Sequence, residues 1–418
     1  MIVIKKTGKE VPFDGDKIKA AISKSAERVL ECLTEEDKNR VVELVKDQIQ
    51  KCGREKVTIQ EIHQYVEVAL DQVSPATAKS YREFRDYKQE FKDMMEDIYN
   101  ESEKILFVGD QDNANMDSSM VSTKRVMELN ALEKALYKKM FLSADEAEAE
   151  KDGYIYIHDK SARRFTMNCS LFRIADVLSG GFEMGNIWYN EPKTLDTAFD
   201  VIADIVLSTA AQQYGGFTLP RIDSVLAPYA EKSYKKYKNE CLELIADETV
   251  PKSDQEYWKE IERKADEYAY KKVQREMEQG MQCWEYKFNT VASSRGDYPF
   301  IAITFGLDTS RFGRMASITA LKVRQEGQGK KGFKKPVLFP KLIFLYDENL
   351  HGPGKELEDV FDAAVECSSR CMYPDVLALT GEGYVPEMYK KYGAVISPMG
   401  ECKLAHVKLY EPLLSGCA

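Results

Sequence analysis

Val337-Leu-Phe-Pro340-Lys-Leu-Ile-Phe-Leu-Tyr346 is almost wholly apolar and far too short for a membrane span, so it reads as a buried strand. Its internal Pro340 predicts a bulge or an edge position, because proline lacks the amide that a central strand donates. Upstream, Phe300-Ile-Ala-Ile-Thr-Phe305 shows the same buried-strand pattern. Helical stretches flank these runs. Ala198 to Ala211 (AFDVIADIVLSTAA) predicts a strongly apolar helix, placed in a core or an interface. Tyr229 to Gln282 predicts a long, charged helical region interrupted near Val250-Pro251. Leu357 to Ser368 predicts another helix, with Tyr373-Pro374 soon after its end. Tyr154-Ile-Tyr-Ile-His158-Asp159 alternates like a strand after Gly153. Strands and helices taking turns argue for an α/β architecture.

Residues 1–90 read as a small separate domain. Ile2-Val3-Ile4 and Val11-Pro12-Phe13 are short extended pieces joined by the turn Thr7-Gly8-Lys9. Asp14 and Asp16 cap a helix with Ile18, Ala21, Ile22, Ala26 and Val29 on one face. A second helix carries Val41, Leu44, Val45 and Ile49. Thr58 and Glu61 have capping-box spacing before a helix with Ile62, Val66 and Ala69. Ser74-Pro75 interrupts, and a polar helix follows from Ala76 to Met95. Leu129, Leu132, Leu136 and Met140 form an apolar stripe in the connecting region.

The 418 residues are 44% hydrophobic and 31% charged, which excludes a wholly disordered chain and a disulfide mini-protein. A net charge of −10 argues against a general nucleic-acid or membrane-surface binder. There is no membrane-span pattern and no apolar signal core, so the expected location is cytoplasmic. Nine scattered cysteines without a CxxC pair are expected to be mostly reduced and buried. With four histidines and no HExxH, no metal site is expected in this chain.

Gly327-Gln-Gly329-Lys-Lys-Gly332 matches GxGxxG but precedes Phe333-Lys-Lys-Pro336, which cannot start the helix that a dinucleotide fingerprint needs. It reads as a basic loop. Cys367 and Cys371 are spaced as one face of a core helix. Lys5, Lys6 and Lys17 read as solvated charges unless the small domain binds a nucleotide. Cys169 lies in Arg163-Arg-Phe-Thr-Met-Asn-Cys169, in a loop position where function concentrates.

Two ordered sets of residues carry a resemblance. Val3-Ile-Lys5-Lys6, Gly8, Val11-Pro-Phe-Asp14 and Lys17-Ile18 resemble the start of an ATP-cone, the ATP/dATP-binding regulatory module of ribonucleotide reductases. Asn113-Ala-Asn-Met-Asp117, Gly153 to Asp159, Met167-Asn-Cys169, Gln212-Gln-Tyr-Gly-Gly216, Phe339-Pro-Lys341, Met372-Tyr-Pro-Asp375 and Val395 to Gly400 resemble the anaerobic, glycyl-radical ribonucleoside triphosphate reductases, in that family's order.

The resemblance implies an α-rich ATP-cone over residues 1–92, followed over 93–418 by the first half of a ten-stranded α/β barrel. It implies anaerobic reduction of ribonucleoside triphosphates by thiyl-radical chemistry. Lys5, Lys6, Lys17, Thr58 and Lys88 would bind ATP or dATP as allosteric effectors. Cys169 would be the second cysteine, on the far side of the sugar from the thiyl. A radical-SAM activating enzyme, a homodimer partner and a ribonucleoside triphosphate substrate complete the implied set, with no nucleic acid and no membrane. After Gly400 the family has Cys-Arg, whereas this sequence has Glu401-Cys402, so Cys402 is a displaced candidate for the thiyl cysteine. Residues 401–418 are atypical, and the segment with the radical glycine is not among these residues. The expectation is therefore a chain inactive alone, with a catalytically dead nucleotide-binding regulator as the alternative.

Overall fold

The computed structural model describes residues 1–5, 7–107, 119–164, 169–247, 249–251, 253–294, 296–393, 397–399 and 402–405, the last two by backbone. These residues form two compact units, Met1–Asn100 and Glu101–Ala418.

The first unit opens with β1 (Ile2–Ile4) and β2 (Glu10–Pro12), an antiparallel hairpin. Next come α1 (Gly15–Arg28) and α2 (Glu35–Lys51). Then β3 (Lys56–Thr58) returns parallel to β1, giving the order β2-β1-β3. Helices α3 (Ile59–Val73) and α4 (Pro75–Phe107) follow. Ile18 and Ile22, Val41 and Val45, and Ile62 and Val66 recur at helical spacing and bury against Val3 and Val57. Asp14, Thr34 and Thr58 cap the three helices, and Thr58 and Glu61 form the expected capping box.

The second unit begins with α5 (Val121–Phe141) and α6 (Ala144–Lys151). Its core is a five-stranded, all-parallel sheet ordered β10-β9-β8-β7-β4. In chain order these elements are β4 (Ser170–Leu171), α7 (Ile174–Leu178), the hairpin β5 (Phe182–Met184) and β6 (Ile187–Tyr189), and α8 (Leu195–Ala210). Then come β7 (Phe217–Leu219), α9 (Ile222–Ile245), α10 (Gln255–Thr290), β8 (Ile301–Phe305) and α11 (Arg311–Glu326). The chain continues through β9 (Lys341–Tyr346), α12 (Glu358–Arg370), β10 (Asp375–Ala378) and α13 (Tyr384–Tyr392). A hairpin of β11 (Ser397–Met399) and β12 (Cys402–Ala405) closes the described residues. Helical crossovers between sequential strands make the sheet parallel, and every residue of β8 is buried.

The apolar helix expected at 198–211 is α8, with Phe199, Ile202 and Val206 in the main core. Gly280 on α10 lets it approach α8: a Cβ there would sit 2.2 Å from the Phe199 ring. Trp284 then donates its indole N–H to the Phe199 carbonyl at 2.9 Å.

Two expectations fail. Pro340 is neither in an edge strand nor at a bulge; it precedes β9, which lies between β8 and β10. The missing amide therefore falls outside the ladder. Tyr154–Asp159 is not a strand: Tyr154 and Tyr156 are exposed, Ile155 is exposed too, and no face is buried to reward pairing. The stripe of α5 is likewise outward, with Leu129, Leu132 and Met140 exposed. Gly327 caps α11 at φ +66°, and Gln328 bridges Lys335 in a tight hairpin; no helix starts there.

Candidate functional site

Three helices of the first unit converge on a cavity of about 980 Å³. From α1 come Lys17, Ala21, Lys24 and Arg28; from α3, Gln60, His63, Gln64 and Glu67; from α4, Tyr81, Phe84, Arg85, Lys88 and Lys92. Each set recurs at i, i+3 and i+4 spacing, with His63–Gln64 and Phe84–Arg85 as adjacent pairs, so each is one helix face. Six lining side chains are cationic, and only Glu67 and Asp86 are acidic. Both acids are already engaged, Glu67 by Arg82 and Arg85, Asp86 by Arg85 at 3.1 Å. Lys17 is paired with Asp14 at 3.2 Å, and Lys24, Arg28, Lys88 and Lys92 supply the remaining positive charge of the wall, which suits a polyanion.

The frame around it is polar and tied. His63 Nδ1 and the Tyr81 hydroxyl are 2.7 Å apart. Burial pushes the Tyr81 phenol up to about 12, so it stays protonated. Glu31, just past α1, accepts from the Ser74 and Thr77 hydroxyls at the start of α4. Those two hydroxyls hold its carboxyl below the usual range. The Arg28 guanidinium lies 3.6 Å over the Phe84 ring, and the Lys88 ammonium 4.9 Å from the same ring centre.

Of the residues singled out in the sequence, Lys17 and Lys88 line this cavity. Lys5 sits on the β1–β2 turn, where its backbone closes the hairpin with Lys9, and Thr58 spends its hydroxyl on the α3 cap; neither lines it. Lys6 lies outside the described residues. Arg28, His63, Phe84 and Lys92 escaped the sequence reading. For Arg28, Phe84 and Lys92 the signal was available as helical spacing from Lys17 or Lys88; His63, on α3, carried none.

In the second unit, Cys169 is buried just before β4. Because the sheet is all parallel, the residues preceding β4, β7, β8, β9 and β10 share one edge. That edge carries Cys169, Gly216, Phe300, Pro340 and Pro374. Gly216 permits the close approach of Phe300, whose ring would meet a Cβ at 2.4 Å. Gln213 donates its amide to the Ser170 hydroxyl, and Ser170 N–H bonds to the Gly216 carbonyl at 3.2 Å. Strand β11 lies against β4 and β7, and β12 begins at Cys402, paired with Met399. Met167 and Asn168 lie outside the described residues. Cys367 and Cys371 are core residues; burial pushes the Cys367 thiol up to about 12, which leaves it an unreactive thiol. Among the described residues no cluster of three His, Cys, Asp or Glu side chains could hold a metal ion, and no helix is long and apolar enough to cross a membrane.

A family model described as anaerobic ribonucleoside-triphosphate reductase matches residues 112–406, and one described as ATP cone domain matches residues 1–90. The anaerobic ribonucleoside-triphosphate reductase of Escherichia coli (strain K12) is 32% identical over 407 residues, which is 95% of this chain and 53% of that protein. The protein of the same description from Enterobacteria phage T4 is 33% identical over 300 residues, 69% of this chain and 44% of that protein. The chain thus spans about half the length of the curated relatives it matches. Among solved structures, the anaerobic ribonucleotide reductase from Thermotoga maritima in complex with dATP and CTP aligns with a TM-score of 0.42 and 15% identity, covering 71% of this chain and 50% of that one.

Proposed function

Because the chain belongs to the anaerobic ribonucleoside-triphosphate reductase family, we propose that it contributes to ribonucleoside triphosphate reduction under nucleotide control. In this reading residues 1–92 are the effector-binding domain, and residues 93–418 contribute half of an α/β barrel. The observation that carries the reading is the cationic cavity between α1, α3 and α4, inside the segment that matches an ATP cone. Its volume and charge suit a nucleoside triphosphate such as ATP or dATP. Lys17 and Lys88, with Lys24, Arg28 and Lys92, would meet the phosphates as point charges. Lys5, Lys6 and Thr58 belong to the proposed site through the family pattern alone.

For the chemistry, Cys169 is the proposed second cysteine. Its burial just before β4 supports that role, since a radical step needs a shielded site. Cys402, at the start of β12, is the proposed but displaced thiyl cysteine. A radical glycine of the family's kind would take the thiol hydrogen atom of the thiyl cysteine, and no described residue is assigned to it. A radical-SAM activating enzyme and a second copy of the chain are the proposed partners, in the cytoplasm.

Calorimetry on the full chain tests the effector reading. ATP and dATP should each bind, and Lys88→Ala should weaken ATP by about 1–2 kcal/mol, a charged hydrogen bond discounted for exposure. Absence of heat with either nucleotide at millimolar concentration would remove the basis for the reading.

A further inference from the structure

The ring of Phe84 faces a nucleotide-sized cavity, yet its face is covered by the chain's own Arg28. Arg28 is the last residue of α1, and its side chain is exposed. Among the described residues it makes no carboxylate ion pair. Its contact with Phe84 is thus a stack that nothing else anchors. An exposed cation–π contact favours the closed arrangement by only about 2–5-fold. Stacking of a nucleobase on an aromatic ring is worth about 5–150-fold. A base offered to Phe84 therefore outcompetes the guanidinium.

We propose that Arg28 is a displaceable cap on the nucleotide cavity. With no ligand it holds the Phe84 face; when a purine nucleotide enters, the base takes that face and the guanidinium turns to the phosphates. The released guanidinium does not return to water alone, because the ligand that displaces it brings the anion it can pair with. The same residue thus opposes the base and supports the phosphates. The cavity would favour ligands carrying both parts over a nucleoside or inorganic triphosphate alone. Lys88 stays within reach of both, four residues along α4 from Phe84. This inference rests on the effector reading above and adds to it a gate that selects for the whole nucleotide.

The two roles have opposite signs in one variant, which makes them separable. Affinities of ATP and adenosine are measured on the full chain by competition against a fluorescent ATP analogue. In Arg28→Ala, adenosine should bind about 2–5-fold more tightly, because its competitor for Phe84 is gone. ATP should bind roughly threefold to tenfold more weakly, because a phosphate-facing cation is lost. Arg28→Lys should restore most of the ATP affinity while keeping the adenosine gain. Phe84→Leu should weaken both ligands. Equal losses for both ligands in Arg28→Ala, no change in either, or adenosine that competes with neither protein, would each overturn the cap. Failure of the unsubstituted chain to bind ATP would instead sink the effector reading itself.

Discussion

Buried polar residues carry most of the specificity at the scale of single side chains. Arg324 is fully buried and donates to Glu285 at 2.7 Å and to the Pro340 carbonyl at 2.7 Å. Gln328 completes the set on Glu285. The pair thus holds the lead-in to β9 at the strand edge that also carries Cys169. At the opposite edge, Asp223 collects the N–H groups of Gly306, Leu307 and Asp308 at 2.8–3.0 Å. Burial keeps its carboxyl above the usual range despite those donors. His351 joins the loop after β8 to the loop after β9: its Nε2 donates to the Gly306 carbonyl at 2.7 Å, and Asp347 N–H bonds to its Nδ1 at 3.0 Å. Desolvation holds His351 below its ordinary value of 6.5, against the opposing pull of the Gly306 and Asp347 backbone and the Asp347 carboxylate. The folded state therefore binds fewer protons than the unfolded one just below that value. His351 contributes stability that is fully present above 6.5 and is lost as pH falls from there towards its folded pKa. Thermal unfolding of His351→Gln should be less stable at neutral pH, and the gap to the unsubstituted chain should narrow as pH is lowered through that window. A constant gap would count against a neutral, buried imidazole.

Elements pack here through small residues at a few contacts. Helices α8 and α10 meet where Gly280 faces Phe199, and the Phe199 and Trp284 rings lie edge to face at 4.7 Å. Alanine would gain about 1 kcal/mol in helix propensity at this position. Its methyl would also press into a buried aromatic ring, and overpacking of that kind costs about 1–3 kcal/mol. The clash should win, because Phe199 is enclosed in the main core and its carbonyl is tied to the Trp284 indole of the same helix α10. Gly280→Ala should therefore lower stability by up to about 2 kcal/mol in denaturant titration. Unchanged or raised stability would mean that α8 and α10 can slide apart freely. The same logic explains Gly216, which lets Phe300 close over the entry to β7.

At the scale of the whole molecule, an acidic chain of net charge −10 holds a basic cavity in one of its two units. A ligand that binds the folded first unit alone stabilises that unit by mass action. Hydrogen exchange with and without saturating ATP should show added protection in α1, α3 and the start of α4. The inner strands β7, β8 and β9 should keep their rates. Protection appearing first in the parallel sheet would place the binding site in the second unit instead.

Much of this was legible without a fold. The periodicity of Ile18, Ile22, Val41, Val45, Ile62 and Val66 marks the three helix faces of the first core, and the Thr58–Glu61 pair marks where the third helix starts. Local spacing suffices there because capping and amphipathic burial are decided within a few residues. The apolar runs at 300–305 and 337–346 mark buried strands for the same reason, though not their place in the sheet. The position of Pro340 was not legible, since only the ladder shows where β9 begins. Nor was the outward exposure of Tyr154 and Tyr156, since alternation predicts a strand only when another surface covers one side. The cavity itself belongs to the tertiary structure. Lys17, Arg28, His63, Phe84 and Lys88 lie on three separate helices, and only the angles at which those helices pack bring their charges and one aromatic ring to a common space.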